Sequence, residues 1–180
     1  MNKFPRSAYV HIPFCHRRCF YCDFAVIPLG NKVETLQGYG SKTVKEYLHF
    51  LHKEILSIKH KSSLSTIYVG GGTPSILDPQ QIKQLIDLFK ENYGVDYGAE
   101  ITMEVDPASF NLDDLHGFIN AGINRFSLGV QSFNNQILQK SGRRHLREDA
   151  EKSCLWLKKV YSAGLIKSWS LDLIQNLPLS

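Results

Sequence analysis

Apolar positions along the chain change period repeatedly, from every second residue to every third or fourth and back. Residues 8–12, 66–69, 100–105, 125–130 and 168–174 read as five strands. Between them, Val44, Tyr47, Leu48, Leu51 and Ile55 recur at helical spacing, as do Ile82, Leu85, Ile86 and Phe89, so each stripe predicts a helix with one face on a sheet. A further helix carries Leu115, Phe118 and Ile119, and residues 149–163 align Ala150, Cys154, Leu157 and Tyr161 on one face, with Cys154 as a small buried hydrophobe. Asp78 before Pro79 and Asn111 before Leu112 suit helix N-termini, and Gly122 and Gly164 suit helix stops. Residues 25–40, with Pro28, Gly30, Gly38 and Gly40, read as one irregular loop able to cover a site. Strands alternating with helices predict an α/β fold with a parallel sheet curling toward a barrel. The sheet reads as unfinished at residue 180, so the expectation is one incomplete N-terminal core domain over residues 1–180, without its last strand or a C-terminal region.

The phase of the strands adds chemistry. In residues 101–106 the apolar side chains take one phase, and Thr102, Glu104 and Asp106 take the other. Phe126, Leu128 and Val130 likewise oppose Ser127, Gly129 and Gln131, and Leu171 and Leu173 oppose Ser170 and Asp172. Glu104, Gln131 and Asp172 therefore converge near strand C-terminal ends, away from the helices. Buried there, they need each other, backbone partners or a polar ligand such as a ribose. Thr66 to Val69 runs into Gly70-Gly71-Gly72-Thr73, where missing side chains let backbone approach a ligand closely. This is neither a P-loop nor a dinucleotide fingerprint, since no Gly-Lys-Ser/Thr or GxGxxG spacing is present.

Composition narrows the class. With 180 residues, 43% hydrophobic and 21% charged, the chain can form an ordinary globular core. Its apolar runs are far shorter than the roughly 20 residues of a membrane helix, and its first residues contain no apolar signal region. A cytoplasmic protein without a transmembrane segment is expected. The formal charge of +4 is dispersed apart from Gly142-Arg143-Arg144-His145, so no nucleic-acid partner is expected, and His52, His60, His116 and His145 read as surface residues.

Three of the four cysteines lie within eight residues, Cys15-x3-Cys19-x2-Cys22, directly after the first strand. Parallel β/α folds place their chemistry at that end of the strand. Three thiolates suit an iron–sulfur cluster with one open iron, because cubane clusters ordinarily take four. They also suit a zinc-stabilised β/α binding module, with His11, His16 or Asp23 as the fourth ligand.

The stretch from Tyr9 through Cys15, Cys19, Tyr21 and Cys22 to Phe24 resembles the cluster loop of radical S-adenosylmethionine (SAM) proteins, and more narrowly the oxygen-independent coproporphyrinogen III oxidase-like group. The resemblance covers nearly all of residues 7–178. It implies a [4Fe–4S] cluster on Cys15, Cys19 and Cys22, with SAM bound at the open iron. Gly71, Gly72 and Thr73 match the segment at the SAM amino group, and Arg143 matches an arginine near its carboxylate. Glu104, Gln131 and Asp172 match SAM-contacting stretches, while Tyr9 and Tyr21 match positions flanking it. Oxidases of the group carry a further cysteine two places after the third, and a longer N-terminal segment. Here Phe24 occupies that position and only eight residues precede Tyr9. Both features resemble the heme-chaperone branch, which implies heme or porphyrin as ligand, heme-acceptor proteins and an electron donor as partners, and no assignable heme ligand in this chain. Asn176 replaces the group's usual glycine before Leu-Pro, at a place where left-handed backbone is tolerable for Asn.

Overall fold

The computed structural model describes residues 4–30, 39–58 and 62–177. The strands are β1 (Ser7–Ile12), β2 (Phe14–Cys15), β3 (Ile27–Pro28), β4 (Leu64–Gly71), β5 (Val95–Val105), β6 (Arg125–Gln131) and β7 (Ser168–Leu173). The helices are α1 (Tyr39–Ser57), α2 (Pro79–Asn92), α3 (Leu112–Asn120), α4 (Asn135–Lys140) and α5 (Arg147–Ser162). The five expected strands are β1, β4, β5, β6 and β7, which form one sheet in that order with every neighbouring pair parallel. This is the α/β architecture that the alternating periods predict.

Alternation gives the sheet two chemically different faces. Ile12, Val69, Met103, Phe126 and Leu128 are fully shielded on the helix side, and each such side chain contributes about 1.5–3 kcal/mol of burial. Ile82, Leu85, Ile86 and Phe89 from α2 complete the core with Leu115 and Phe118 from α3. Asp78 and Gln81 form a reciprocal capping box at the start of α2, and Asn111 and Asp114 do the same for α3. Gly122, at φ 110°, takes the chain out of α3 in a conformation that other residues avoid.

Several expectations change. The stretch read as an irregular loop contains β3, whose Ile27 N–H donates to Pro13 O (2.6 Å) and whose flanking Leu29 N–H donates to Cys15 O (2.8 Å). Two-residue strands are too short to show a period. Gly40 belongs to α1, and Gly38 lies outside the described residues. β5 starts at Val95, five residues early, because Asp96, Tyr97 and Gly98 mask its alternation. α4 was not expected; Asn134 starts it by accepting from the Gln136 and Ile137 amides. In α5 the core stripe is Ala150, Ser153, Leu157 and Val160, so Tyr161 is half exposed and Cys154 is only partly buried. The 3.6-residue period puts the centre of the stripe one position before Tyr161. Asn176 is left-handed at φ 60°, as its substitution for glycine requires.

Candidate functional site

The other sheet face and the loop after β1 enclose a cavity of about 640 Å³. Its lining includes Cys15, Cys19, Tyr21, Cys22, Gly71, Gly72, Thr73, Glu104, Gln131, Arg143 and Asp172. All the expected site residues except Tyr9 therefore share one wall. Tyr9 sits beside the cavity on β1, with its ring stacked on Tyr68 and its hydroxyl 3.1 Å from His11 Nδ1. In the parallel register Tyr9 pairs with Tyr68, so the alternation that places Glu104 also places Tyr68 on this face.

Backbone hydrogen bonds give the cysteine loop its shape. Cys22 N–H turns back to Cys19 O (3.1 Å), Phe20 N–H reaches Ser141 O (3.0 Å), and Thr73 N–H reaches Phe14 O (2.7 Å). Arg18 donates to the carbonyls of Cys22 and Phe24, both at 3.0 Å. His11 Nε2 lies 2.9 Å from Ala25 O and ties β1 to the segment beyond the loop. All three cysteines are free thiols.

Glycine is required where β4 meets this loop. Gly71 has φ 117°, and a Cβ there would lie 2.9 Å from Ile12 O. At Gly72 a Cβ would come within 2.6 Å of Phe14 O and 2.9 Å of Cys15 Sγ. The bare backbone thus leaves Cys15 the space it occupies. Thr73 Oγ1 donates to Cys15 Sγ at 3.4 Å.

The polar inner face is paired within the protein. Glu104 accepts from Tyr68 Oη (2.8 Å) and from Gly71 N–H (3.1 Å), and Asp172 accepts from Ser127 Oγ (2.9 Å). Gln131 has φ 65° at a register irregularity between β6 and β7, which aims it into the cavity. Arg143 makes an ion pair with Asp106 and donates to Gly129 O (2.6 Å). Its remaining nitrogens face Tyr21 Oη (3.4 Å), Cys19 Sγ (3.8 Å) and His145 Nδ1 (3.4 Å). Arg144, by contrast, is exposed at the rim.

Burial and neighbouring charge act together here. Burial pushes the Cys15 thiol up against the lowering hydrogen bond from Thr73, and Cys22, Cys19 and Asp106 add to the rise. Burial also raises the Tyr68 phenol, with Glu104 adding to it, so Tyr68 serves Glu104 as a donor. Burial is the largest single influence on Arg143 and disfavours its charge, but Asp106, Tyr21 and Cys19 together outweigh it and hold the guanidinium above the usual range. His145 overturns one expectation: it is 1% exposed, with Nε2 3.0 Å from Val130 O. A histidine after two arginines reads as surface, yet the turn between α4 and α5 folds it inward. His52 and His116 are exposed, and His60 lies outside the described residues. Asp106, Tyr68 and Ser127 are site residues that the motifs did not single out.

The donor set suits a polynuclear centre. Three free thiols share one wall, with hydrogen-bond donors aimed at two of the sulfurs, as anionic sulfur ligands require. Among the described residues, no three His, Cys, Asp or Glu side chains are gathered as a single-ion site. No described helix is long and apolar enough to cross a membrane.

Comparison with known proteins agrees with this geometry. The chain is 41% identical over 175 residues to heme chaperone HemW of Synechocystis sp., covering 97% of this chain and 40% of that protein. It is 34% identical to HemW of Escherichia coli, with 97% and 43% covered, and 37% identical to the oxygen-independent coproporphyrinogen III oxidase of Salmonella typhimurium, with 97% and 36% covered. The structure of coproporphyrinogen III oxidase (HemN) from Escherichia coli, described as a radical SAM enzyme, superposes with a TM-score of 0.78 at 34% identity, covering 97% of this chain and 38% of that one. The chain thus spans about two fifths of the length of these relatives. The family model of the radical SAM superfamily matches residues 9–168, and the chain belongs to that superfamily.

Proposed function

We propose that this chain is the cluster- and SAM-binding part of a heme-trafficking protein similar to HemW. Cys15, Cys19 and Cys22 would hold a [4Fe–4S] cluster, and Gly71, Gly72, Thr73, Glu104, Gln131, Arg143 and Asp172 would hold SAM, with Tyr21 beside it and Tyr9 supporting the wall through Tyr68. When bound, the reduced cluster supplies the superfamily's single-electron chemistry to SAM. The chain's own residues do the rest. The glycine backbone admits the ligand closely, Glu104 and Asp172 present acceptors to amine and hydroxyl groups, and Arg143 presents a fixed positive charge to a carboxylate. The loop covers the centre and limits water. Free thiols in this number suit a reducing compartment, and the cytoplasm is the proposed location.

The observation that carries the chaperone reading is Phe24. It lines the cavity rim, is 64% exposed, and puts an apolar ring where the oxidases of the group carry a further thiol. Identity alone does not separate the branches, since the relatives named chaperone and those named oxidase overlap in it. An exposed aromatic ring at the mouth suits a flat apolar ligand such as a porphyrin.

Anaerobic reconstitution followed by electron paramagnetic resonance of the reduced protein, with and without SAM, tests the site. A spectrum that SAM leaves unchanged refutes the open-iron assignment. Heme titration and coproporphyrinogen turnover on the full-length protein test the branch: stoichiometric heme binding without decarboxylation is expected, and decarboxylation overturns it. Transfer of bound heme to an apo-acceptor, and reduction by a physiological electron donor, test the proposed partners.

A further inference from the structure

Arg143 is the most heavily engaged side chain of the cavity wall. Its side chain is only 11% exposed, and the guanidinium faces three segments: the cysteine loop at Cys19 and Tyr21, the end of β5 at Asp106, and β6 at Gly129. The contacts are divided by nitrogen. Nη2 meets the Asp106 carboxylate and Gly129 O, whereas Nη1 lies 3.8 Å from Cys19 Sγ and 3.4 Å from Tyr21 Oη. The pair is therefore a fixed dipole with its positive end toward the sulfur and its carboxylate on the other side. Asp106 is itself held, accepting from Ala108 N–H at 3.2 Å and donating its own amide to Ser75 Oγ at 3.0 Å.

We propose that Arg143, held in place by Asp106, is a positioning residue that sets the reduction potential of the iron–sulfur centre through Cys19. This rests on the cluster assignment above. Potentials of such clusters respond to net charge, to hydrogen bonds on the sulfurs and to solvent exposure. Reduction adds one negative charge to the centre. A shielded guanidinium beside one sulfur ligand favours the reduced form, and the carboxylate behind it tempers that effect. Exposed Arg17 and Arg18, on the same loop, are screened by solvent and act weakly. The guanidinium thus has a task at the cluster that is separate from any contact with SAM.

The test is a dithionite titration of the reconstituted full chain without SAM, followed by electron paramagnetic resonance, on wild type, Arg143→Gln, Asp106→Asn and Arg18→Gln, with iron and sulfide measured for each. Arg143→Gln should shift the midpoint to more negative potential by a tenfold change in the one-electron equilibrium, about 59 mV. Asp106→Asn should shift it the opposite way, and Arg18→Gln should shift it less than either. Equal midpoints in loaded wild type, Arg143→Gln and Asp106→Asn overturn the proposal while leaving the cluster assignment intact. A wild-type chain that binds no iron and sulfide removes both. If Arg143→Gln does not load, Asp106→Asn decides, and an unchanged or more negative midpoint refutes the inference.

Discussion

Replacing Gly72 by alanine isolates the space that the glycine segment keeps open. Gly72 has no positive φ, so alanine can adopt its backbone conformation, and only the added methyl matters. That methyl would sit 2.6 Å from Phe14 O and 2.9 Å from Cys15 Sγ, well inside ordinary contact. The backbone is not free to yield, so the sulfur must move. Phe14 O accepts from Thr73 N–H at 2.7 Å, and Gly72 N–H donates to Ile12 O at 2.8 Å. Overpacking of this kind costs about 1–3 kcal/mol, and a strained or lost backbone hydrogen bond adds about 0.5–1.5 kcal/mol. Gly72→Ala should therefore destabilise the chain by about 1.5–4.5 kcal/mol in urea unfolding monitored by circular dichroism. Iron and sulfide per chain after reconstitution should fall as well, because the displaced sulfur belongs to Cys15. A variant within about 0.5 kcal/mol of wild type that loads a full complement of iron would refute the steric reasoning.

Other outcomes follow from the same coordinates. In Glu104→Gln one of two donors, Tyr68 Oη or Gly71 N–H, faces an amide NH2, and an unmet buried group costs about 1–3 kcal/mol; urea unfolding should show a loss of about that size, and an unchanged stability would contradict the role of Glu104 as shared acceptor. Gly117→Ala places a methyl 2.5 Å from Pro79 Cβ, and overpacking of about 1–3 kcal/mol against a helix-propensity gain of about 1 kcal/mol leaves a net loss of up to about 2 kcal/mol, so a raised melting temperature would count against close packing of α2 on α3. Burial lowers the His145 pKa, Asp106 opposes this and Arg143 reinforces it. A histidine with a lowered folded pKa contributes stability above its unfolded value near 6.5 and loses it as pH falls through the folded value. Unfolding free energy should therefore decline below about pH 6.5, and His145→Gln should flatten that slope. A slope identical in the two proteins would refute it.

How much of this was legible beforehand depended on the physical signal. Strand alternation located the inner face, because β5 and β6 are flanked by apolar residues of strict period. The same rule holds for Tyr68, which pairs with Thr102 and so shares the face of Glu104, but the pairing is a matter of register that β4 alone does not reveal. Asp106 shares the phase of Glu104, but the partner that gives it a purpose comes 37 residues later, and local sequence carries no trace of that pairing. His145 reads as surface for a related reason: its Nε2 partner, Val130 O, lies on β6 at a distance in sequence that no local pattern reveals. β2, β3 and α4 were missed because elements of two to six residues complete no recognisable period. The cysteine spacing marks candidate ligands directly but leaves cluster and zinc open; the superfamily match is what implies a [4Fe–4S] cluster.

The contact between Arg143 and Cys19 bridges 124 residues, which has a consequence for synthesis. A ribosome adds roughly 5–20 residues per second, so the three thiols emerge roughly 6–25 s before the guanidinium that faces one of them. During that interval the nascent loop has neither Gly71 and Gly72 beside it at first nor Arg143 until last. Closure of so distant a pair is entropically slow and late. Newly made chains would thus pass through a stage with reactive, unsupported sulfur, and oxidants or stray metals in the cell would find the protein most vulnerable then.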